Sequence, residues 1–304
     1  MTGPAARFAP HAVMLVLIVI WAASYATSKM ALQSLDPFAL VAVRFWLALL
    51  CVAPFLGRTA FADLRTALGP GLVTGLALGT GYLLQMAGLN ETSSATSGLI
   101  AGLIVPLVAV GGFLFFGARL GARSLAGLAL AIVGIAAICW PDGGASAADG
   151  RHDSLRGILL QLGSSTSYAG HILLLSRFGR TAPIAAFACW QMLVVAVAAT
   201  VLTGMAGRVA APPATTVAWT GELLFLVGYL GVLASAVGIG VQSKVQHRVP
   251  PTHLALLFAL QPLFAAILGW LLLGDRLGAL QLAGGSLIVL GVVVTSLDRT
   301  GSGG

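Results

Sequence analysis

Residues 117–127 read GARLGARSLAG, and residues 274–284 read GDRLGALQLAG. Eight of the eleven positions are identical, and each copy connects two long apolar runs. The likeness continues backwards to VPLVAV at Val105 and QPLFAA at Gln261, and forwards to Gly134 and Gly291. A connection that recurs in the same setting predicts that the chain contains two copies of one structural unit.

The composition is that of a protein whose solvent is lipid. Of the 304 residues, 58% are hydrophobic and 8% are charged, and the mean hydropathy is +0.99. A soluble domain of this size carries about a quarter charged residues. These charges cannot cover a water-facing surface, so we predict an integral membrane protein embedded in the lipid bilayer.

Four other features of the sequence exclude further classes of protein or site. The net charge of +7 does not indicate nucleic acid, because the positive charges lie singly or in pairs between apolar runs, as in the loops of membrane proteins. The three cysteines lack metal-ligand spacing, and there is no Walker A motif. We therefore expect no metal, no cofactor and no ATP hydrolysis in this chain. The first apolar run lacks a small-residue cleavage site, so we expect no cleaved signal peptide.

A helix needs about 20 mostly apolar residues to cross a bilayer. The chain contains ten such runs, so the predicted fold class is an all-α integral membrane protein with ten transmembrane helices. The predicted spans cover roughly residues 13–32, 38–56, 69–89, 95–116, 123–140, 157–175, 183–206, 218–241, 252–273 and 279–297.

The two copies of the loop join spans 4 and 5 and spans 9 and 10. Each copy therefore closes a five-span unit, and we expect these units at residues 1–140 and 157–304, with a polar loop at 141–156 between them. An odd number of spans forces the second unit to enter the membrane in the opposite sense. Such inverted repeats place a substrate site near the membrane midplane, between the two halves.

The distribution of lysine and arginine predicts that both termini lie in the cytoplasm. With the N-terminus inside, ten of these residues fall in cytoplasmic segments and five at the outer ends of spans, while Arg44 lies within a span. Cytoplasmic loops carry the excess of positive charge in membrane proteins.

Polar and aromatic side chains at mid-membrane depth occur in both repeats and are missing from spans 5 and 10. Such groups are costly in lipid unless they pair with one another or face a wet cavity. For a single residue, a bond between helices is an adequate explanation, but the set predicts a central substrate site. Its candidate members are Trp21, Ser24, Tyr25, Arg44, Tyr82, Gln85, Tyr168, His171, Trp190, Tyr229 and Gln261. Ser235 also lies in a span, without an assigned role.

Two of these candidates carry specific chemistry. Arg44 lies seven residues past Pro37, about 10 Å into its helix. Its fork of donors suits a carboxylate or a phosphate, although a long side chain at this depth can also snorkel to the outer interface. Histidine as a residue type titrates near neutral pH, so His171 is a candidate carrier of a coupling proton. The alternative for His171 is a core histidine bonded to a neighbouring helix.

Pro106 and Pro262 occupy matching positions in the two repeats. Proline frees a carbonyl one turn earlier and weakens the helix there. A matched pair of interrupted helices predicts hinges of alternating access or a position at the substrate site. The alternative is a pair of ordinary kinks.

With these features in place, the chain resembles the EamA-type transporters of the drug/metabolite transporter superfamily, over Met14 to Leu297. The resemblance rests on WAASYATSK at residues 21–29, on Arg44 with Phe45, on the two prolines and on the two Gly-x-Arg-Leu loops. The chain departs from the family pattern at Ala22, where a glycine is usual. It also departs at Ala118, where the acidic residue kept at Asp275 is lost. The resemblance implies ten spans, both termini inside, and movement of small metabolites such as amino acids across a bacterial inner membrane.

The leading hypothesis is a secondary transporter that exports a small zwitterionic or anionic metabolite by alternating access. Efflux of lipophilic cations by proton antiport is the alternative, but it needs a membrane-buried carboxylate, for which Glu222 near a span end is the only candidate. An intramembrane enzyme is less favoured, because paired intramembrane aspartates and a Gly-x-Ser-Gly motif are missing from the sequence. The sequence leaves open proton coupling and the choice between monomer and homodimer.

Overall fold

A computed structural model describes residues 4–57, 60–117, 121–138, 140, 153–179, 182–209, 217–245 and 251–297. Every secondary-structure element in these residues is helical, as predicted. Most of the polar loop expected at 141–156 lies outside them. The α-helices are α1 (Pro4–Ala31), α2 (Pro37–Val52), α3 (Ala60–Asn90), α4 (Ser94–Ala101), α5 (Ile104–Phe116), α6 (Ala122–Ile138), α7 (Leu155–Phe178), α8 (Ile184–Val209), α9 (Gly221–Gly228), α10 (Gly238–Val245), α11 (Pro251–Leu273) and α12 (Ala279–Ser296). A 3₁₀ turn at Ala53–Phe55 follows α2, and a π-helical segment at Tyr229–Val237 joins α9 to α10.

Eight helical segments are long and apolar enough to cross a membrane. They are Pro10–Ala31, Pro37–Phe55, Ala60–Asn90, Ser94–Phe116, Leu155–Phe178, Ile184–Met205, Gly221–Gln242 and Ala279–Ser296. Two further apolar helical segments, Ala122–Ile138 and Leu257–Leu273, are shorter. Each predicted span overlaps one of these ten segments, and the protein is a multi-pass membrane protein.

Several helices begin where the sequence supplies a capping side chain. The side-chain oxygens of Asp36, Ser93, Ser154 and Thr220 accept hydrogen bonds from backbone N–H groups two or three residues further on. Such caps satisfy N–H groups that have no partner within the helix. These caps therefore fix where α2, α4, α7 and α9 begin. The four helices carry residues of the candidate site or support them.

The repeated loop has the same backbone conformation at its start in both copies. Gly117 ends α5 with φ of 65°, and Gly274 follows α11 with φ of 69°. These are the positive φ values in the described part of the chain. Glycine adopts this left-handed conformation without the strain that a Cβ would cause, so the first glycine of each copy is required by geometry.

The last helices of the two repeats, α6 and α12, pack together along most of their lengths. A Cβ added to Gly134 would lie 2.5 Å from the carbonyl oxygen of Gly284, and one added to Gly291 would lie 2.5 Å from that of Gly127. Small residues let helix backbones approach this closely. These glycines therefore allow the close packing of α6 against α12.

The fourth predicted span is interrupted, whereas the ninth is not. Helix α4 ends at Ala101 and α5 begins at Ile104, while α11 continues through Pro262. The residue whose carbonyl each proline frees is Gly102 in one repeat and Phe258 in the other. Because glycine lowers helix stability by about 1 kcal/mol, the helix breaks before Pro106 and not before Pro262. The expectation of two interrupted helices is therefore wrong for Pro262.

The interruption before Pro106 nevertheless lies close to Pro262. A Cβ added to Gly102 would lie 2.9 Å from Cγ of Pro262, and the same distance from Cγ2 of Ile288. The interruption in the first repeat thus packs directly against the second repeat. A hinge role for the two prolines stays a prediction.

The largest buried apolar cluster is formed by α2, α3, α8 and α9, together with the π-helical segment and the end of α1. Phe45, Met192 and Leu230 are fully buried within it. The glycines of α3 allow close contact here, since a Cβ added to Gly75 would lie 3.0 Å from Cβ of Val194 in α8. This core holds Arg44 and Tyr82 in place.

Candidate functional site

Arg44 lies on α2 and is 2% exposed, so it is buried inside the protein and does not snorkel to a surface. Its Nε donates a hydrogen bond to Oγ of Ser235 at 2.6 Å, and its Nη2 donates to the hydroxyl of Tyr82 at 3.3 Å. The guanidinium carbon Cζ lies 4.6 Å from the centre of the Tyr82 ring, within range of a cation–π interaction.

The charge of Arg44 has no counter-ion in the described part of the chain. Both of its hydrogen-bond partners are neutral hydroxyls. A guanidinium has five N–H donors, so three remain, among them both donors of Nη1. A buried cation without an anion is unfavourable in a low-dielectric interior. An anionic group placed beside this guanidinium would offset that cost.

Two tyrosines from matching places in the two repeats meet at one glutamine. The Nε2 of Gln85 donates to the hydroxyl of Tyr25 at 2.9 Å, and its Oε1 accepts from the hydroxyl of Tyr168 at 3.0 Å. The tyrosines lie in the same tripeptide, Ser-Tyr-Ala, at residues 24–26 and 167–169. This repeated tripeptide is the sequence signal that could have predicted their meeting.

These residues form one group between the repeats. The rings of Tyr82 and Tyr168 lie edge to face with centroids 5.4 Å apart, which joins the arginine to the glutamine. We use the name Arg44 cluster for Tyr25, Arg44, Tyr82, Gln85, Tyr168 and Ser235. Five of the six members are predicted site residues, and Ser235 is the addition.

The hydrogen-bond directions leave the Arg44 cluster with free donors. The hydroxyl of Tyr25 accepts from Gln85 and the hydroxyl of Tyr82 accepts from Arg44. Each of these hydroxyls can still donate its own proton. Together with Nη1 of Arg44, they suit a ligand group that only accepts hydrogen bonds, such as a carboxylate.

Trp21 and Tyr229 connect α1 to the π-helical segment beside the Arg44 cluster. The indole N–H of Trp21 donates to the carbonyl of Ala234 at 2.9 Å, and the hydroxyl of Tyr229 donates to the carbonyl of Ile20 at 2.8 Å. Ser24 bonds to the carbonyl of Trp21 in its own helix at 2.6 Å. These three predicted residues support the site through the backbone.

The remaining predicted residues share no hydrogen bond with the Arg44 cluster among the residues described. His171 pairs with Oε1 of Gln191 at 2.7 Å, which is the alternative of a core histidine bonded to a neighbouring helix. The indole of Trp190 donates to the carbonyl of Leu64 at 2.8 Å. Gln261 is half-buried on α11 next to Pro262.

A polar network that the sequence did not predict surrounds the start of α4. Asp275, the acidic residue of the second loop copy, is 2% exposed. Its Oδ2 accepts from Oγ of Ser94 at 2.6 Å and from the backbone N–H of Ala95 at 2.9 Å. The N-terminus of a helix favours such an anion. The signal for this network in the sequence was the difference between the two loop copies, which have an acidic residue at Asp275 and an alanine at Ala118.

Asp153 binds the same helix end, since it accepts from the backbone N–H of Ser93 at 2.6 Å. Burial raises the pKa of the Asp153 carboxyl above its usual range, while hydrogen bonds from Thr96 and Ser93 act in the opposite direction. Lys29 lies nearby, where its Nζ donates to the carbonyl of Thr92 at 2.8 Å. These contacts bring the ends of α1 and α11 and the starts of α4 and α7 to one face of the helix bundle.

Apolar helices of membrane-spanning length, arranged in two related halves with a buried polar cluster between them, define the class of multi-pass membrane transporters. The EamA-like transporter family matches residues 10–140 and 155–297. The chain belongs to this family, which confirms the resemblance drawn from its sequence.

Three relatives align with almost the whole chain. One is an "Uncharacterized transporter" of Archaeoglobus fulgidus, 24% identical over 93% of this chain and 84% of the relative. Two are each named "Probable amino-acid metabolite efflux pump", from Escherichia coli at 27% identity and from Salmonella typhimurium at 25%, with 92% of each chain covered. A solved crystal structure, 18% identical, shares the fold with a TM-score of 0.65 over 93% of this chain and 94% of its own.

Proposed function

We propose that this transporter exports small metabolites that carry a carboxylate, namely amino acids or their derivatives, and that Arg44 binds the carboxylate. The observation that carries the proposal is the buried guanidinium of Arg44, which has two neutral partners and no described counter-ion. A planar guanidinium matches a carboxylate with two parallel hydrogen bonds. The hydroxyls of Tyr25 and Tyr82 add donors to the same group.

The position of the Arg44 cluster supports alternating access. Its bonds Arg44–Ser235 and Gln85–Tyr168 each connect the first repeat to the second. A site between two inverted repeats becomes accessible from either side when the repeats rock against each other. In this proposal Pro106 and Pro262 adjoin the moving interface, because the interrupted helix packs against Pro262.

The proposed topology has ten spans with both termini in the cytoplasm of a bacterial cell, in the inner membrane. The two shorter apolar helices, α6 and the segment Leu257–Leu273, serve as the fifth and ninth spans. The excess of lysine and arginine on the cytoplasmic side supports this orientation. The names of the two bacterial relatives support outward transport of amino-acid metabolites.

Efflux of lipophilic cations has no structural support at the Arg44 cluster. A cation would meet the like charge of Arg44, which is unfavourable at short range in a buried site. Glu222 lies exposed in the first turn of α9, after the Thr220 cap, where the helix dipole favours an acid. Flux of a lipophilic cation is therefore one of the outcomes that the transport experiment distinguishes.

The test is counterflow in proteoliposomes that contain the purified protein. Labelled amino acids and a labelled quaternary ammonium cation are offered separately to the wild type, to Arg44→Ala and to Arg65→Ala. Arg65 is exposed on α3, so its removal controls for the loss of one positive charge.

We expect amino-acid counterflow in the wild type and in Arg65→Ala, and a loss of at least about tenfold in Arg44→Ala, since a bidentate charged contact contributes more than 1.4 kcal/mol. Amino-acid flux that persists in Arg44→Ala would remove the arginine from the site. Flux of the cation without flux of any amino acid would overturn the proposed function.

A further inference from the structure

The π-helical segment Tyr229–Val237 places one hydroxyl against the functional arginine. Segments of this kind are rare, and they occur often at functional sites. We infer that Ser235 is a positioning residue, which fixes the guanidinium of Arg44 so that its free N–H fork faces the substrate carboxylate. This inference rests on the proposed function of Arg44.

The roles of donor and acceptor between the two side chains are fixed by chemistry. A guanidinium has donors only, so the oxygen of Ser235 must accept the hydrogen bond from Nε. The hydroxyl proton of Ser235 must then go elsewhere, and Oγ donates it to the carbonyl of Leu230 at 2.9 Å. Both contacts are buried, since Ser235 is 0% exposed and Arg44 is 2% exposed.

The π-helical geometry is what makes this arrangement available. In an α-helix, a serine hydroxyl commonly bonds to the carbonyl three or four residues earlier. In this segment Ser235 bonds to the carbonyl five residues earlier. The hydroxyl of Ser235 therefore donates its proton within the π-helical turn, and the lone pairs of its oxygen face Arg44.

Contacts on two sides hold the segment at the arginine. The indole of Trp21 donates to the carbonyl of Ala234, the residue before Ser235. On the other side, Gly231 allows α2 to lie close, since a Cβ at Gly231 would lie 3.1 Å from the carbonyl oxygen of Arg44. Ser235 is thus a fixed point from which the arginine is oriented.

Two of the five N–H donors of Arg44 therefore bond to hydroxyl groups, one from each repeat. Ser235 takes Nε–H and Tyr82 takes one N–H of Nη2. Donors on Nη1 and Nη2 remain and form the end of the guanidinium that can bind both oxygens of a carboxylate. Without Ser235, the long side chain regains rotamer freedom and its Nε–H competes for the ligand.

The experiment measures the KM and the maximal rate of amino-acid counterflow for Ser235→Ala, Ser235→Thr and Ser286→Ala. Ser286 is the matched control, because it is an exposed helical serine on α12 that bonds only to a carbonyl of its own helix among the residues described. Ser235→Ala removes the acceptor, whereas Ser235→Thr keeps the hydroxyl.

We expect Ser235→Ala to raise the KM about tenfold, the effect of about one hydrogen bond to a charged group, with a maximal rate within about twofold of the wild type. Ser235→Thr restores the KM, and Ser286→Ala leaves it unchanged. A wild-type KM in Ser235→Ala, or a raised KM that Ser235→Thr does not lower, would overturn the inference.

Should Ser235→Ala accumulate too poorly to assay, Ser235→Cys gives the same comparison, because a thiol has a similar size and accepts hydrogen bonds weakly. A raised KM in Ser235→Cys supports the inference and a normal KM overturns it. The outcome is separable from that of the proposed function. Arg44→Ala that abolishes transport while Ser235→Ala and Ser235→Cys behave like the wild type would refute the positioning role alone.

Discussion

A guanidinium that is buried against two neutral hydroxyls lowers the stability of the fold, so folding alone does not explain its presence. Tyr82 and Ser235 satisfy two donors of Arg44 but bring no negative charge. An apolar side chain at the same position would avoid the desolvation of the charge altogether. The proposed binding of a transported anion by Arg44 would offset this cost.

Tyr82 contributes to Arg44 in two ways that a pair of substitutions can separate. Tyr82→Phe removes the acceptor of the 3.3 Å hydrogen bond and keeps the ring, whose centre lies 4.6 Å from the guanidinium carbon. Tyr82→Leu removes both. Because the hydrogen bond is long, we expect the KM of counterflow to rise about threefold in Tyr82→Phe and more than about tenfold in Tyr82→Leu. Equal effects of the two substitutions would contradict the importance of the ring.

At the scale of elements, the start of α4, the first half of the interrupted span, carries a network of buried polar contacts. Asp275 comes from the second repeat and supplies an acceptor to two donors at that start. In the first repeat the corresponding loop position is Ala118, which has no acceptor. The two loop copies therefore share a left-handed glycine at their start and differ in whether the next residue has a side-chain acceptor.

Replacing Asp275 should cost stability in a graded manner. Asp275→Ala leaves the hydroxyl of Ser94 and the N–H of Ala95 buried without this partner, so we expect a loss of about 1–3 kcal/mol in the free energy of unfolding. Asp275→Asn keeps a carbonyl oxygen as acceptor and should lose less. The measurement is thermal unfolding of the detergent-purified variants, with Glu222→Ala as an exposed acidic control. An unfolding temperature of Asp275→Ala equal to that of the wild type would contradict this role.

The elements that the sequence predicts well are those with a local signal. The apolar runs gave helices because lipid leaves no other partner for the backbone, and Gly117 with Gly274 marked the repeated loop. The π-helical segment was not predicted, and neither was the difference between the interrupted helix before Pro106 and the continuous helix through Pro262. The interruption depends on Gly102, which lies four residues before Pro106, and the π-helical segment depends on contacts from other helices. A hydropathy profile shows neither.

At the scale of the whole molecule, the two repeats predicted polar residues between the halves but not which of those residues meet. Tyr25 and Tyr168, which come from matching tripeptides of the two repeats, meet at Gln85. His171 and Trp190 lie in the same kind of sequence environment, yet they pair with Gln191 and with the backbone of Leu64. Which face of a helix meets which neighbour is a tertiary property, and the sequence held no signal for it.

The measurement that tests the central claim most directly is the binding of an acid and its carboxamide to the purified wild-type protein. An amino acid identified by counterflow and the amide of the same amino acid differ in the group that Arg44 is proposed to hold. Calorimetric titration gives a Kd for each. We predict that the acid binds at least about tenfold more tightly than the amide, because the amide lacks the charge and the second acceptor oxygen. Equal affinities, or tighter binding of the amide, would contradict the account.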